Sequence, residues 1–448
     1  MFIEKIKTPG LSHLSYIIGS KGKAAVIDPR RDCDIYLEKA RANGLEITHV
    51  FETHRNEDLI TGSPILASQS NAKIFHGPNP ASEVKFAKTV HDNDTFEVGN
   101  LIIKAIETPG HTKDHMAYAI FDKNYEDGAV GVFTGDALFV GDVGRTDFYP
   151  DEMREMAGTL YDSLQKILSL GDQALLYPAH GAGSVCGSGM AEREFSSIGH
   201  EKKNNPKLQL SRDDFIESKI NEVHYKPPYF KTMERLNLVG APQTPRVMYP
   251  NIVSLNELKN LSVDYIIDVR DTMSFVAAHF PKSISLPSSM IPAFAGWFLN
   301  EDDKLALIAD SEESLKTSCE HLWRTGFDEI VGGYTGFVPA IAHGHDFIFI
   351  PTISTKTVEE RLNGKKTDWT LLDVRGEDEV AKSHIEGSKN IYIGHLNSKW
   401  NELDPNKHYT IMCGSGQRAT IAAGWLQAKG FKNIDIYLGS MGAWKSTH

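Results

Sequence analysis

The chain has few cysteines, no long apolar run and no cluster of basic residues. Its four cysteines in 448 residues are too few and too scattered for a disulfide scaffold, which predicts a reducing, cytoplasmic setting. No apolar stretch approaches the roughly 20 residues that a membrane-spanning helix needs. The first residues show no apolar core of a signal peptide. We therefore expect no membrane association and no secretion.

Acidic residues outnumber basic ones. The chain has 59 Asp and Glu against 47 Lys and Arg, for a net charge of −12. Such a surface repels phosphate backbones, so nucleic acid is not expected as a partner. A hydrophobic content of 41% is ordinary for a globular protein. The length predicts two to four domains.

Residues 1–245 have the pattern of one α/β unit. Short β-rich runs, such as 24–28 and 48–51, end directly in polar residues, and helical stretches lie between such runs. Candidate ligands therefore fall on loops at strand ends, where α/β folds usually place their chemistry. The stretch 226–245 is rich in proline and polar residues, and we interpret it as a connector.

Beyond residue 245 the sequence repeats, with Asp373 standing 105 positions after Asp268. Three pieces recur in the same order: 265–270 with 371–375, 278–281 with 383–386, and 326–330 with 430–434. The repeat predicts two copies of one small α/β domain, at 246–351 and 352–448.

A motif at 53–59 has only part of a metal-ligand pattern. The pattern T-H-x-H-x-D-H would offer three histidines and an aspartate, and here His54 and Asp58 are present. Asn56 and Leu59 stand at the other two histidine positions. Leu59 cannot bind a metal, and an amide is a poor ligand for a borderline ion. Either the site is inactive, or it is built for one metal.

Three further candidate ligands, His111, Asp136 and His180, each follow a β-rich run. The four motifs, in this order and spacing, resemble the metallo-β-lactamase fold over about 240 residues. The resemblance implies an αββα sandwich for residues 1–245. It also implies two metals, the first held by His54, the Asn56 position and His111, with Asp136 bridging to the second.

The substitutions leave one complete ligand set. His54, His111 and Asp136 are the two histidines and one carboxylate that hold non-haem Fe(II) with positions left open. The same positions bind iron in the persulfide dioxygenase branch of this fold, which the chain resembles, so one Fe(II) per chain is implied, with zinc as the alternative. The residues expected to orient these ligands or a bound water are Asn56, Asp58 and His180.

The stretch 143–148 also resembles the persulfide dioxygenase branch. There Arg145 would meet an anionic part of the substrate through its rigid donor fork. The alternative for Arg145 is an ion pair with Asp142 or Asp147. Cys186 is either a thiol that faces the substrate or a packed small residue.

A second candidate site lies at residues 413–418. Cys413 stands between a predicted strand and a predicted helix, where backbone N–H groups and the helix dipole favour a thiolate nucleophile. With the motifs at 373–375 and 384–387, this loop resembles a rhodanese, a sulfurtransferase. The resemblance implies catalytic roles for Cys413 and Arg418. The residues expected to bind the transferred group are Gly414, Ser415, Gly416 and Gln417.

The middle copy of the repeat lacks the residues of this second candidate site. Its corresponding loop, 307–313, has no cysteine and has carboxylates that would repel a sulfur anion. We therefore expect an inactive, rhodanese-like domain that serves as a scaffold. The apolar stretch 291–297 is a candidate interface for a homo-oligomer if it is exposed.

These features favour an enzyme that oxidises a low-molecular-weight thiol persulfide with O₂ to sulfite and thiol. Cys413 would pass sulfur to sulfite to form thiosulfate, or catalyse the reverse. One alternative is a mononuclear zinc thioester hydrolase of the glyoxalase II type. A further alternative is a non-catalytic docking module joined to a sulfur carrier.

Overall fold

The computed structural model describes residues 1–125, 128–184, 189–242, 249–364 and 368–448. The chain divides into two compact units. One contains Met1–Pro245 and Arg324–Gly326, and the other contains Arg246–Trp323 and Phe327–His448. Within the described ranges, no helix has the length and apolar character needed to cross a membrane.

Two β-sheets form the centre of the first unit. The six-stranded sheet has the order β1-β2-β3-β4-β5-β6. Its strands are β1 (Phe2–Thr8), β2 (His13–Ser20), β3 (Lys23–Ile27), β4 (Glu46–Phe51), β5 (Lys73–His76) and β6 (Lys88–Thr89). The five-stranded sheet has the order β11-β10-β9-β8-β7. Its strands are β7 (Thr95–Val98), β8 (Leu101–Glu107), β9 (Met116–Asp122), β10 (Gly131–Gly135) and β11 (Leu175–Pro178).

Apolar side chains of both sheets form one core between them, as where Phe51 and Phe133 belong to the same buried cluster. The described α-helices of this unit are α1 (Asp34–Ala42), α2 (Ser63–Ser70), α3 (Met153–Leu168), α4 (Ile198–Asn204), α5 (Arg212–Ile220) and α6 (Phe230–Val239). Of these, α1 and α2 contact the six-stranded sheet. A second cluster packs Leu160 and Leu164 of α3 against Ala117 of β9. The αββα sandwich predicted for this part of the chain is confirmed.

Helix α6 corrects one interpretation of the sequence. The stretch 226–245 was expected to be a connector, because its prolines and polar residues are typical of linkers. The prolines at 227 and 228 instead precede a ten-residue helix. Met233 and Leu236 of that helix are buried, at 0% and 9% exposure. Their apolar spacing is that of an amphipathic helix, and it outweighs the local composition.

Two parallel sheets form the centre of the second unit, with orders β13-β12-β14-β15 and β16-β20-β19-β17-β18. The strands are β12 (Tyr265–Asp268), β13 (Ile284–Ser285), β14 (Leu305–Ile308), β15 (Ile330–Tyr334), β16 (Thr352–Ile353), β17 (Trp369–Asp373), β18 (Lys389–Asn390), β19 (His408–Met412) and β20 (Ile434–Tyr437). The helices are α7 (Leu255–Asn260), α8 (Thr272–Ala277), α9 (Ile291–Phe298), α10 (Glu312–Arg324), α11 (Phe337–Ala342), α12 (Thr355–Asn363), α13 (Glu377–Lys382), α14 (Leu396–Lys399), α15 (Gln417–Ala428) and α16 (Ser440–Thr447).

The two sheets share an internal geometry. The order β13-β12-β14-β15 corresponds to β18-β17-β19-β20, with β16 added at one edge. In each copy a buried aspartate at a strand end accepts from the arginine two residues later, with Nη2···Oδ2 distances of 2.6 Å for Arg270–Asp268 and 2.6 Å for Arg375–Asp373. The repeated sequence therefore corresponds to a repeated local structure. The seam predicted near residue 352 stays a prediction.

The two copies pack against each other through apolar side chains. Phe298 of α9 lies 4.8 Å from Trp425 of α15, between ring centroids. Trp297 lies 5.6 Å from Tyr392 and is only 7% exposed. The apolar stretch 291–297 therefore packs inside the unit, and it does not offer the exposed oligomer interface that the sequence left open.

Gly424 gives a test of this packing. A Cβ atom at this position of α15 would lie 3.0 Å from the ring of Phe275 and 3.1 Å from the backbone nitrogen of Ser285. Gly424→Val is expected to lower the free energy of unfolding by about 1–3 kcal/mol, because a packed core cannot accept the added methyl groups without moving. Urea unfolding measures the change. Ala428→Val, at the half-buried end of the same helix, is the control and should change stability less.

Candidate functional site

The candidate metal ligands lie on loops at strand ends of the first unit. His54 follows β4, His111 follows β8 and Asp136 follows β10 directly. All three side chains are 0% exposed. His180 follows β11 and is 1% exposed. The two sheets therefore bring together four side chains that are far apart in sequence.

Three of these side chains converge on one point, and a fourth residue joins them. Asp136 Oδ2 lies 3.8 Å from His54 Nε2 and 3.5 Å from His111 Nε2. The Glu57 carboxylate lies 3.6 Å from His54 Nε2 and 3.4 Å from His111 Nε2. One donor atom from each of the four residues lies within 4.8 Å of the others. No other group of this kind occurs among the residues that the structure describes.

The electrostatics of this group favour a cation. Burial alone would lower the pKa of His54, but the Glu57 and Asp136 carboxylates raise it to about 9. Burial would raise the pKa of Asp136, but His180, His54 and His111 hold it well below its usual value. Within the described ranges, His54 Nε2, His111 Nε2 and Asp136 Oδ2 have no hydrogen-bond partner. Imidazole and carboxylate donors that face one buried point fit a divalent metal such as iron or zinc.

Hydrogen bonds fix the two imidazoles with Nε2 toward this point. Thr53 Oγ1 donates to Asp28 Oδ2 at 2.8 Å and therefore accepts from His54 Nδ1 at 2.9 Å. His111 Nδ1 donates to the carbonyl oxygen of Arg145 at 2.9 Å. With each Nδ1 engaged in this way, Nε2 is the ring atom of each histidine that is left to bind a metal. Outer hydrogen bonds of this kind orient metal ligands and raise their basicity.

The backbone position of Asp136 depends on the conformation of the preceding residue, Gly135, and on a hydrogen bond to a third histidine, His115. Its backbone N–H donates to His115 Nε2 at 2.9 Å, and His115 Nδ1 in turn donates to Thr108 at 2.9 Å. Gly135 has φ +52, and a Cβ there would lie 2.5 Å from His115 Nε2 and 2.7 Å from Thr53 Cβ. Only glycine fits that position.

Asp58 and His180 form a pair beside the group. His180 Nε2 lies 3.1 Å from Asp58 Oδ2, and His180 Nδ1 lies 2.7 Å from Asp136 Oδ1. Both ring nitrogens of His180 therefore contact carboxylates. Leu59 is 0% exposed and supplies no donor atom. Asp58 and His180 thus contact each other and Asp136, and the orienting role expected for Asn56, Asp58 and His180 stays a prediction.

Helix α6 holds the loop that carries His54 and Glu57. Asn237 Nδ2 donates to the carbonyl oxygens of Asn56 and Leu59 at 2.7 Å and 2.8 Å, and Asn237 Oδ1 accepts from Thr61 N at 2.9 Å. Asn237 is 1% exposed. The stretch interpreted as a connector therefore braces the candidate metal loop.

A cleft of about 230 Å³ opens beside the group, and Glu57, Phe148, Lys226 and Phe230 are among its lining residues. Arg145 does not face this cleft. It is 1% exposed and donates to Asp147 through Nε at 2.7 Å and Nη2 at 2.8 Å. The ion pair that the sequence left as the alternative is therefore the observed arrangement. The role predicted for Arg145 in binding substrate stays a prediction.

Arg145 still contributes to the cleft indirectly. Its guanidinium lies 4.9 Å from the ring centroid of Phe148, which lines the cleft, and a cation over an aromatic face is attractive. Cys186 lies outside the described residues.

Sequence reasoning missed Glu57, His115 and Asn237. Glu57 stands at a position that the ligand pattern leaves variable, so the motif gave no reason to select it. His115 had a usable signal, since it lies four residues after His111 in the same motif. Asn237 had none, because its role depends on α6 packing against a loop about 180 residues earlier.

The cysteine loop of the second unit joins β19 to α15. The Cys413 thiol is 1% exposed and accepts from Gly416 N–H at 3.1 Å. Gly416, with φ +109, caps the start of α15. Cys413 N–H donates to Ser440 Oγ at 3.1 Å. The loop therefore turns one backbone donor, the N–H of Gly416, toward the sulfur.

Other members of this loop lie farther from the sulfur or bond elsewhere. Ser415 and Gln417 are exposed, whereas Gly414 is half-buried. Arg418 donates to Glu379 through Nη1 at 2.6 Å and Nη2 at 2.8 Å. Hydrogen bonding by Arg418 lowers the pKa of Glu379. The catalytic role of Arg418 stays a prediction.

Family models match both parts of the chain. One, described as the metallo-beta-lactamase superfamily, matches residues 8–180, and another, described as a rhodanese-like domain, matches residues 354–447. The chain therefore contains an N-terminal metallo-β-lactamase domain and a C-terminal rhodanese-like domain. The first match spans the loops that carry His54, His111, Asp136 and His180, and the second includes Cys413.

Similar proteins are enzymes of more than one kind. The mitochondrial persulfide dioxygenase ETHE1 of Homo sapiens is 29% identical over 244 residues, which are 52% of this chain and 85% of that protein. Hydroxyacylglutathione hydrolase of Rhizobium etli is 33% identical over 160 residues, which are 36% of this chain and 57% of that protein. A solved metallo-beta-lactamase from Staphylococcus aureus subsp. aureus COL is 29% identical with a TM-score of 0.67, covering 75% of this chain and 98% of that one.

The hydrogen bond from His54 to Thr53 gives a test of the candidate site. Thr53→Val is expected to weaken anaerobic Fe(II) binding by about 10–100-fold, because the His54 ring loses the hydroxyl that fixes it. Titration of the metal-free protein measures the dissociation constant. Thr48→Val is the control, since the Thr48 hydroxyl donates to the carbonyl oxygen of Ala24 and touches no candidate ligand. Equal affinities of the two variants would contradict the assignment.

Proposed function

We propose that the first unit oxidises a low-molecular-weight thiol persulfide with O₂, and that Cys413 of the second unit transfers sulfane sulfur. In the first reaction RSSH, O₂ and H₂O give RSH and sulfurous acid, so the terminal sulfur is oxidised and O₂ is reduced. One Fe(II) per chain, held by His54, His111 and Asp136, would supply the oxygen chemistry.

The observation that carries the proposal is the single cluster of donors. Two imidazoles and the Asp136 carboxylate face one point, which is the ligand set typical of Fe(II) sites that use O₂. The second metal position of the superfamily has Leu59 where an imidazole is needed. The resemblance to persulfide dioxygenases over 85% of the human protein's length supports the same chemistry.

The residues of this chain bind and shield the reactants. Phe148 and Phe230 give the cleft apolar walls, and Lys226 gives it a positive charge. A persulfide is anionic and polarisable, so an amphipathic cleft of this kind suits it. The buried setting keeps bulk water from the reacting sulfur.

The second reaction uses sulfite, the product of the first. A persulfide loads Cys413 with sulfane sulfur and releases thiol. Sulfite then takes that sulfur, so that thiosulfate leaves and the Cys413 thiolate returns. The N–H of Gly416, 3.1 Å from Sγ, stabilises this leaving thiolate. Joining the two activities in one chain raises the effective concentration of sulfite for the second reaction, and the reverse transfer is the alternative direction.

A zinc-dependent thioester hydrolase is the second candidate. The similarity to hydroxyacylglutathione hydrolase favours it, and zinc accepts the same donors. It would require a metal-activated water as the nucleophile. The rhodanese-like domain gives a thioester hydrolase no related substrate, and for this reason we place it second.

Metal analysis and O₂ uptake distinguish the two candidates. Anaerobically purified protein is expected to contain about one iron per chain and to consume O₂ when a thiol persulfide is added. Removal of the metal by a chelator should abolish the uptake, and Fe(II) should restore it. Zinc content together with thioester cleavage and no O₂ uptake would establish the hydrolase instead.

Cys413→Ser tests whether the two reactions are separable. The variant is expected to retain O₂ uptake and sulfite release, because Cys413 belongs to the other compact unit. Thiosulfate formation should fall to the uncatalysed rate, because serine carries no persulfide. Sulfite and thiosulfate are measured by derivatisation and chromatography. Loss of O₂ uptake in this variant would show that the reactions are coupled in one site.

A further inference from the structure

Glu57 is the member of the candidate metal group that the ligand pattern does not contain. Its side chain is 7% exposed, and its two carboxylate oxygens lie 3.6 Å from His54 Nε2 and 3.4 Å from His111 Nε2. It is one of the four residues whose donor atoms lie within 4.8 Å of one another. The carboxylate therefore faces the same point as the two imidazoles.

The orientation of the two imidazoles determines which of their ring atoms face the Glu57 carboxylate. Both Nδ1 atoms are engaged, that of His54 with Thr53 at 2.9 Å and that of His111 with the Arg145 carbonyl at 2.9 Å. When a metal binds, each Nε2 gives its lone pair to the metal and has no proton to donate. The Glu57 carboxylate, which faces both Nε2 atoms, then faces the metal that they bind.

We infer that Glu57 is a fourth protein ligand of the metal, making the centre two histidines and two carboxylates. The inference uses the metal site of the proposed function and does not depend on its oxygen chemistry. Glu57 occupies the place in the motif loop directly after Asn56, whose amide is a weak donor. It thereby replaces the imidazole that the superfamily pattern has at Asn56.

A fourth ligand changes what the centre offers to reactants. It leaves one open position fewer than the set His54, His111 and Asp136 alone. Glu57 also lines the 230 Å³ cleft, so it stands between the cleft and the other three ligands. A small carboxylate that enters the cleft therefore reaches the place of the Glu57 side chain.

Cobalt(II) binding to the full chain tests the inference without relying on catalysis. Metal-free protein is titrated with Co(II), and the dissociation constant and the visible absorption of the bound ion are recorded. Glu57→Ala is expected to weaken binding by about 10–100-fold, in the range known for ligand-supporting residues, and to change the absorption spectrum. Added acetate should restore the wild-type spectrum in Glu57→Ala, because it supplies the missing carboxylate.

Glu234→Ala is the matched control. Glu234 lines the same cleft, but its side chain is 60% exposed and pairs with Arg55 at 3.4 Å. Its removal should change neither the Co(II) spectrum nor the response to acetate. Glu57→Gln keeps the shape of the side chain and gives the same comparison if the alanine variant does not fold.

The outcomes separate this inference from the proposed function. Unchanged affinity and spectrum in both Glu57 variants would overturn the fourth ligand and leave the proposed dioxygenase standing. Normal Co(II) results in a protein whose Fe(II) form consumes no O₂ would overturn the dioxygenase and leave Glu57 as a ligand. Failure of the wild-type chain to bind Co(II) would overturn both.

Discussion

The first unit is organised around buried charge that must be compensated. Asp28, Glu57, Asp58 and Asp136 lie close to His54 and are each at most 6% exposed. Burying a carboxylate costs free energy unless hydrogen bonds or a cation compensate it. Burial raises the pKa of Asp28 to about 6 even with Thr53 and His54 as partners. The group of His54, His111, Asp136 and Glu57 could hold a cation, which under the proposed function would complete the compensation.

That positioning is distributed over the whole unit. The strands β4, β8 and β10 fix where the ligand loops begin, and Thr53 and His115 fix their side chains and backbone. Asn237 joins α6 to the His54 loop by three hydrogen bonds. The conformation of the loop that carries the motif at 53–59 thus depends on α6, which lies far along the chain. Metal affinity and stability of the first unit are therefore linked, since a ligand that binds only the folded state stabilises it.

Much of the fold could be predicted from the sequence, because strand-end motifs and repeated segments can be recognised directly in the order of the residues. The convergence of His54, His111 and Asp136 follows from their order along an αββα chain. The contribution of Glu57 did not follow, since a single residue at a variable position has no pattern. Arg145 was predicted to meet substrate because a guanidinium suits an anion, and in the structure it bonds the Asp147 carboxylate, two residues away. Which of two plausible partners a guanidinium bonds depends on packing. The periodicity of the sequence carries no information about that packing.

The motif lacks a histidine at Leu59, and contacts within the protein occupy the region where the superfamily pattern has a second metal. Leu59 extends the apolar interior at the place of an imidazole, and its carbonyl accepts from Asn237 at 2.8 Å. His180, a ligand position of that second metal, has both ring nitrogens on the carboxylates of Asp58 and Asp136. A second cation is not needed to compensate Asp58 when His180 already bonds it. The absence of an imidazole at Leu59 and the retention of His180 are therefore parts of the same arrangement, in which His180 bonds Asp58 and Asp136.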